Sequence, residues 1–211
     1  MLGAYPPLLR HAPALGLIGS SLLRSAAAWG WFTYFGAYLV EARHLSVQWA
    51  GWGYTAVGLG FLAGSVLAGG GVGQLPPRAL LIGTALVQGA AMAGPILLAL
   101  PIPAVFALTG LGAAMMGSAN VTVTLLLARE SPAGRATTMT VNQAAFSVGS
   151  AAGSALGGLL LALSGYRAIA ASVPAFCLVA AALVWLCRPR TGRIPAPAAT
   201  TDAGQDSRAS G

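Results

Sequence analysis

The sequence predicts an all-α integral membrane protein with six transmembrane helices. Hydrophobic residues make up 56% of the 211 residues and charged residues only 7%, whereas ordinary globular domains carry about 25% charged residues. A soluble enzyme or a nucleic-acid-binding protein needs more charge to cover its surface, so we expect neither. Six apolar stretches are each long enough to cross a bilayer, which takes about 20 helical residues.

The first three stretches are separated by charge and by turn residues. Leu15–Val40 ends at the charged break Glu41–Ser46, and Val47–Gly69 ends at the Gly- and Pro-containing break Gly70–Arg78. The third stretch, Ala79–Leu100, is followed by a bare Pro-x-Pro turn. A connection that short predicts that the third and fourth helices are antiparallel neighbours.

The last three stretches follow the same pattern. Ile102–Leu127 and Thr137–Leu163 are separated by the charged break Ala128–Arg135. The final stretch, Ala168–Cys187, follows the break Ser164–Arg167. All six are longer than barrel strands of about ten residues and are apolar all round rather than alternating. Because backbone groups in lipid must bond within their own segment, the stretches are predicted to be helices.

The chain thus divides into three predicted parts. Residues 1–14 form a cytoplasmic N-terminal segment, without the pattern of a signal peptide, and residues 15–188 form the six-helix domain. Residues 189–211 are rich in Pro, Ala, Thr, Ser and Gly and cannot bury a core, so we expect a disordered cytoplasmic tail.

The arginines predict the orientation in the membrane. With the N-terminus inside, the outer side receives only Arg43 and Arg167, whereas the inner side receives most of the others. An excess of arginine in cytoplasmic loops is typical of membrane proteins. We therefore expect a multi-pass protein of the inner (plasma) membrane with both termini in the cytoplasm. The inner arginines are Arg10, Arg78, Arg129, Arg135, Arg188, Arg190 and Arg193.

The residues for catalysis or metal binding are missing from the apolar stretches. His11 and His44 lie outside them, and no Asp lies within any of them, which excludes the known types of intramembrane protease. Cys177 and Cys187 would be about 15 Å apart on one helix, too far to bridge. We expect no enzyme, no metal and no cofactor.

Polar residues at membrane depth are concentrated on the first, fourth and fifth helices. Polar groups are expensive in lipid, so these helices, together with the second, are expected to line an interior surface, and the third and sixth to face lipid. Asn120 on the fourth helix and Asn142 and Gln143 on the fifth are the main candidates to contact a substrate.

Arg24 is the one charge deep within a predicted helix. On a helical wheel it lies within about 40° of Ser20, Trp31, Phe35 and Tyr38, which together form a polar and aromatic stripe. Arg24, Trp31 and Tyr38 could bind an anionic or aromatic substrate, and Arg24 could instead pair with a carboxylate of another helix. The alternatives are that Arg24 reaches the inner interface or has only a structural role.

Three further features of the sequence each allow two interpretations. Gly149, Gly153 and Gly157 form a ridge of small residues, which predicts close helix packing that is either static or mobile during a transport cycle. Glu41 is either a solvated neighbour of Arg43 or a proton-coupling carboxylate. The inner charges at Arg129, Glu130 and Arg135 set the topology or form a gating salt bridge.

Two segments carry a resemblance to a known family. Residues 22–69, LLRSAAAWGWFTYFGAYLVEARHLSVQWAGWGYTAVGLGFLAGSVLAG, resemble helices seven and eight of bacterial major facilitator superfamily transporters. Residues 129–161, RESPAGRATTMTVNQAAFSVGSAAGSALGGLLL, resemble the loop before helix eleven and that helix. The most similar sub-type is the arabinose efflux permease and drug:proton antiporter group. The recurring pattern matches Arg135, Ala136, Asn142, Phe146, Ser147 and Gly149.

The resemblance implies a specific architecture and activity. Family members have two six-helix halves, each a three-plus-three inverted repeat, which rock about a site near the bilayer midplane. This chain resembles the C-terminal half, whose cavity is lined by its first, second, fourth and fifth helices. The implied activity is transport, as export, of a small organic solute, and Phe146 joins the substrate-contacting candidates.

The implied partners are the lipid bilayer, the solute, and a second six-helix half or a second copy of the chain. The alternative is a truncated, non-transporting membrane protein or an interaction subunit.

Overall fold

The computed structural model describes residues 11–71, 76–130 and 134–188, and all the regular structure in these ranges is helical. The predicted tail, 189–211, and most of the predicted N-terminal segment lie outside the described residues. A π-helical turn, Tyr38–Ala42, follows the first helix. The α-helices are α1 Ala12–Ala37, α2 Val47–Gly71, α3 Pro77–Leu97, α4 Ile102–Glu130 and α5 Arg135–Leu186.

The fifth helix contains a sharp break at Gly165. Its φ of 73° and ψ of −171° lie in a region that essentially only glycine adopts. Before the break, Gly149 packs on Leu22 of α1 and Gly157 packs on Gly30, so this arm runs parallel to α1.

After the break the chain runs in the opposite direction along α1. The Tyr166 ring packs on Tyr38 near one end of the bundle, with ring centroids 5.5 Å apart. Cys187 packs against Gly16 near the other end. The chain therefore reverses direction at Gly165, within the predicted break Ser164–Arg167. We call Arg135–Ser164 the first arm of α5 and Tyr166–Leu186 its second arm.

Four of the described helices are long and apolar enough to cross a membrane, which leaves out α1. With 26 residues α1 has the necessary length, but its serines and Arg24 make it less apolar than the others. The four helices that could cross a membrane are α2 (residues 47–70), α3, α4 and α5. The described residues therefore form five α-helices where six were expected, because the predicted fifth and sixth helices are joined into α5, which is divided at Gly165.

Small residues allow two pairs of helices to approach closely. A methyl group at Gly153 of α5 would overlap the backbone of Ala26 in α1, and one at Gly64 of α2 would overlap the carbonyl of Ala114 in α4. The predicted ridge of Gly149, Gly153 and Gly157 is therefore confirmed as a packing surface. The prediction that α3 and α4 are neighbours is confirmed too, because Met92 packs against Gly112.

The structure differs from the expectation that the third helix faces lipid. α3 is buried over about half its length, whereas α2 is exposed along most of its length. The number of polar residues misled the prediction, because Thr84 and Gln88 on α3 are both buried as hydrogen-bond partners of α1. A polar side chain on a membrane helix can point at a neighbouring helix as well as at a cavity.

Candidate functional site

A row of polar side chains runs along the first arm of α5. Gln143, Ser147, Ser150 and Ser154 follow one another at spacings of four, three and four residues, which places them on one face of the helix. Gln143 and Ser147 are exposed, and the other two are half-buried. The row extends over about 16 Å at 1.5 Å per residue. This part of α5 therefore presents a continuous polar edge to its surroundings.

The polar row continues onto α1. The hydroxyl oxygens of Thr33 and Ser154 are 2.9 Å apart and share a hydrogen bond at the exposed surface. The Tyr34 hydroxyl donates to the carbonyl oxygen of Ser154 at 2.9 Å. These contacts are possible because Gly153 and Gly157 bring the backbone of α5 against α1.

Asn120 adds α4 to the same surface. Its side chain is exposed, and it borders a small pocket that Phe146 of α5 also borders. We define the polar face as these exposed or half-exposed residues of α1, α4 and α5. They are Thr33, Asn120, Gln143, Ser147, Ser150 and Ser154.

The pocket beside Asn120 is the size of one water molecule. Its volume of about 20 Å³ exceeds the 10–15 Å³ that one water occupies by the same measure. Its walls come from α1, α4 and α5, so it lies where the three helices of the polar face meet. The lining residues are Ser21, Arg24, Ser25, Met116, Ala119, Asn120, Val123 and Phe146.

Arg24 is buried at the back of this pocket, with only 4% of its surface exposed. Its guanidinium donates to the side-chain oxygen of Gln88 from Nε at 3.0 Å and from Nη2 at 2.7 Å. It also donates to Thr84 Oγ1 at 3.1 Å and to the carbonyl oxygens of Met115 at 3.1 Å and Leu81 at 3.5 Å. All five N–H groups therefore have acceptors, and every acceptor is neutral.

Sequence reasoning missed Thr84 and Gln88 as the partners of Arg24. Both lie on the third helix, which the sequence predicted to face lipid. The signal was Arg24 itself, because an arginine buried in a membrane protein needs acceptors, and a long amide such as Gln88 can serve two of its donors. The alternative of snorkelling to the interface is not what the structure shows, since Arg24 points into the helix packing.

The structure places Trp31 and Tyr38 away from the polar face. Trp31 is 1% exposed and Tyr38 4% exposed, and both belong to the apolar core with Phe35 and Met92. The interpretation of the α1 stripe as a cavity lining is therefore corrected for these two aromatic residues. The stripe faces the packing between α1, α3 and the second arm of α5, because apolar and aromatic side chains fill that space.

The three amide candidates are divided between the surface and the interior. Asn120 and Gln143 are exposed on the polar face. Asn142 is buried, and its Oδ1 has no hydrogen-bond partner among the described residues. Asn142 lies seven residues before Gly149, so it shares the helix face that packs against α1. Phe146 is half-buried and lines the pocket beside Asn120.

Charged groups tie helices together at both ends of the bundle. At one end Tyr166 donates to a Glu41 carboxylate oxygen at 2.7 Å, and Arg43 donates to the Leu100 carbonyl at 2.9 Å. At the other end Arg78 forms a salt bridge with Glu130. Glu41 is thus bonded to Tyr166 and Glu130 to Arg78, and these are the two carboxylates in the described parts of the chain.

No cluster of metal-ligating side chains occurs among the described residues 11–71, 76–130 and 134–188.

Comparison with known families gives a match over most of the chain. The family model of the Major Facilitator Superfamily matches residues 17–209, which is most of the chain. No curated protein and no solved structure matches the chain. The helical fold, with helices long and apolar enough to cross a membrane, agrees with this family of membrane transporters. The chain belongs to the major facilitator superfamily.

Proposed function

We propose that this chain transports a small organic solute across the inner membrane, in the direction of export, as one half of a transport pathway. The observation that carries the proposal is the polar face. A membrane protein that faced only lipid would have no reason to expose Asn120 and Gln143, because unpaired amides are costly in hydrocarbon. Membership of a transporter family supports the same function.

The proposed arrangement has six membrane crossings. In it, α1 crosses as a helix whose polar residues are sheltered by its neighbours, and the two arms of α5 each cross once. This arrangement corresponds to a three-plus-three half of the family and to the C-terminal half by resemblance. Gly165, where the chain reverses, supports two crossings by α5.

The proposed orientation has both termini in the cytoplasm. Arg78 lies at the bundle end that also contains Glu130 and Cys187. Arginine-rich ends favour the cytoplasmic side. Reporter fusions after Arg43 and Arg135 test this orientation, because the first should report the outer side and the second the inner side. The reverse pattern would refute it.

The pathway is proposed to need a second body. Alternating access requires two bodies that rock against each other, and the polar face of a lone half would lie against lipid. A separately encoded six-helix half or a second copy of this chain, related by a two-fold axis, would cover the face. The α2 helix, with its long exposed side, is available for the same contact.

The deciding experiment measures mass and flux on the same preparation. The mass of the detergent-solubilised protein should exceed that of one chain, and vesicles containing that complex should take up at least one of arabinose, benzoate or ethidium. A stable monomer with robust flux would refute the need for a second body. A stable complex with no flux of a broad solute panel would favour the non-transporting alternative.

A further inference from the structure

The buried charge of Arg24 is not neutralised within the described part of the chain. Its five hydrogen bonds go to an amide oxygen, a hydroxyl and two backbone carbonyls, none of which carries a negative charge. The two described carboxylates are engaged elsewhere, Glu41 with Tyr166 and Glu130 with Arg78. The hydrogen bonds satisfy the donors but leave a full positive charge in a region of low dielectric constant, where its field is strong.

Free hydrogen-bond donors line the pocket in front of this charge. The Ser21 hydroxyl on α1 and the Asn120 amide on α4 both line it, and neither makes a side-chain hydrogen bond to any described residue. The Ser25 hydroxyl, also in the lining, already shares its one hydrogen between the carbonyls of Leu22 and Phe146. Ser21 and Asn120 are thus the two side chains of the lining with donors to offer.

We propose that this pocket receives an anionic oxygen of the transported solute, so that the substrate class is an organic anion bearing a carboxylate, phosphate or sulfonate. This inference rests on the proposed transport function. The Ser21 hydroxyl and the Asn120 amide donate to the oxygen, and Arg24 supplies the charge behind them without giving up its own partners. The pocket volume admits one oxygen atom, and the rest of the solute lies against the polar face.

The same geometry disfavours a cationic solute. A cation at the pocket would lie against two donor groups and a positive charge with no intervening carboxylate. A neutral solute could use the donors but would gain nothing from the charge. A pocket that holds only water would not distinguish solutes by the sign of their charge, so this discrimination is the property to test.

The test is a binding comparison with three probes of nearly equal shape. Benzoate, benzyl alcohol and benzylamine carry a negative charge, no charge and a positive charge. Tryptophan fluorescence of the purified full-length complex in non-ionic detergent reports binding. We expect benzoate to bind about tenfold or more tightly than the other two, a difference of about 1.4 kcal/mol.

Two variants assign the binding to the pocket without disturbing the hydrogen bonds of Arg24. Asn120→Ala and Ser21→Ala should each weaken benzoate binding about fivefold or more, as expected for loss of one hydrogen bond to a charged group. Thr55→Ala on α2 is the control, because its hydroxyl bonds only to Gly51 on its own helix. Its benzoate affinity should equal that of the parent.

Several outcomes would overturn the proposal. Equal binding of the three probes would show that the charge of Arg24 does not discriminate between solutes. A carboxylate of a second half that neutralised Arg24 would give this result. Benzoate binding unchanged in both pocket variants would place the anion elsewhere. Displacement of benzoate by phosphatidylglycerol, with no benzoate flux in vesicles, would assign the pocket to a lipid headgroup.

The binding test and the transport test can fail independently of each other. Uptake of arabinose or ethidium without benzoate binding would leave the proposed function standing and refute the anion. Benzoate binding that is weakened in both pocket variants, with no flux of any solute, would establish an anion site in the pocket but refute transport, and with it the assignment of the anion as a transported solute.

Discussion

The guanidinium of Arg24 in α1 holds the side-chain oxygen of Gln88 in α3 with two hydrogen bonds, at 3.0 Å and 2.7 Å. This pair fixes the orientation of the Gln88 amide, because only its oxygen can accept from both donors. The Nε2 atom of Gln88 then points to a buried position without a described partner. The two N–H donors of this nitrogen therefore stay unpaired among the described residues, while the oxygen holds the arginine.

Replacing Gln88 by an apolar residue of the same volume should still destabilise the bundle, because the hydrogen bonds to Arg24 are lost. Gln88→Met keeps the volume but leaves two donors of Arg24 without an acceptor, and we expect a loss of about 1–3 kcal/mol. Thermal unfolding in detergent measures the effect. Gln48→Met is the matched control, since Gln48 is exposed on α2. Equal melting temperatures for both variants would show that the pair contributes nothing.

Arg24→Lys tests whether the fork of the guanidinium is needed in addition to its charge. An ammonium has three donors and no planar fork, so it cannot reach Gln88, Thr84 and Met115 together. We expect a lower melting temperature and reduced transport at equal protein level. Normal flux and stability in the Lys variant would mean that only the charge at this position matters.

The close contact between α2 and α4 should make Gly64 intolerant of any side chain. The methyl group of Gly64→Ala would overlap the Ala114 carbonyl, and relief of such overpacking costs about 1–3 kcal/mol. Gly58→Ala lies on the same helix with open space around it, and should stabilise the helix by about 0.5–1 kcal/mol. Thermal unfolding compares the two, and a Gly64→Ala variant as stable as Gly58→Ala would contradict the packing.

The reversal of α5 should depend on the backbone of Gly165. Gly165→Ala meets no neighbouring atom, so its cost comes from the positive φ alone, and we expect about 1–3 kcal/mol of destabilisation. Gly83→Ala, also in open space but in regular helix, is the control. If the two variants unfold at the same temperature, the break does not require glycine.

Much of the fold could be predicted from the sequence because apolar length and turn residues determine where membrane helices begin and end. α2, α3 and α4 match their predicted ranges to within three residues at either end, and Gly165 lies in the predicted break. The close packing at Gly149, Gly153 and Gly157 was predictable from spacing alone. Asn120 and Gln143, which were expected to line an interior surface, are exposed on the chain, and their contact with a substrate stays a prediction.

The remaining errors share a physical cause. Within a membrane protein, lipid and packed interior are about equally apolar, so an apolar or aromatic face does not show which of them it contacts. For this reason Trp31 and Tyr38 were assigned to a cavity but lie in the core. The partners of Arg24 depend on which helices are neighbours, and that is a property of the tertiary structure.

We expect the polar face to contact water and the exposed side of the second arm of α5 to contact lipid. Gln143 lies eight residues after the start of α5 and Leu178 lies eight residues before its end, so both are about 12 Å from the same end of the bundle. Both are exposed on the chain. They therefore differ in surroundings rather than in depth.

The most direct measurement is the labelling rate of Gln143→Cys and Leu178→Cys in membranes. Cys177 and Cys187 are first replaced by alanine, and a charged, water-soluble thiol reagent is supplied on both sides. We expect rapid labelling at position 143 and none at position 178. Labelling of neither position, or of both at the same rate, would contradict it.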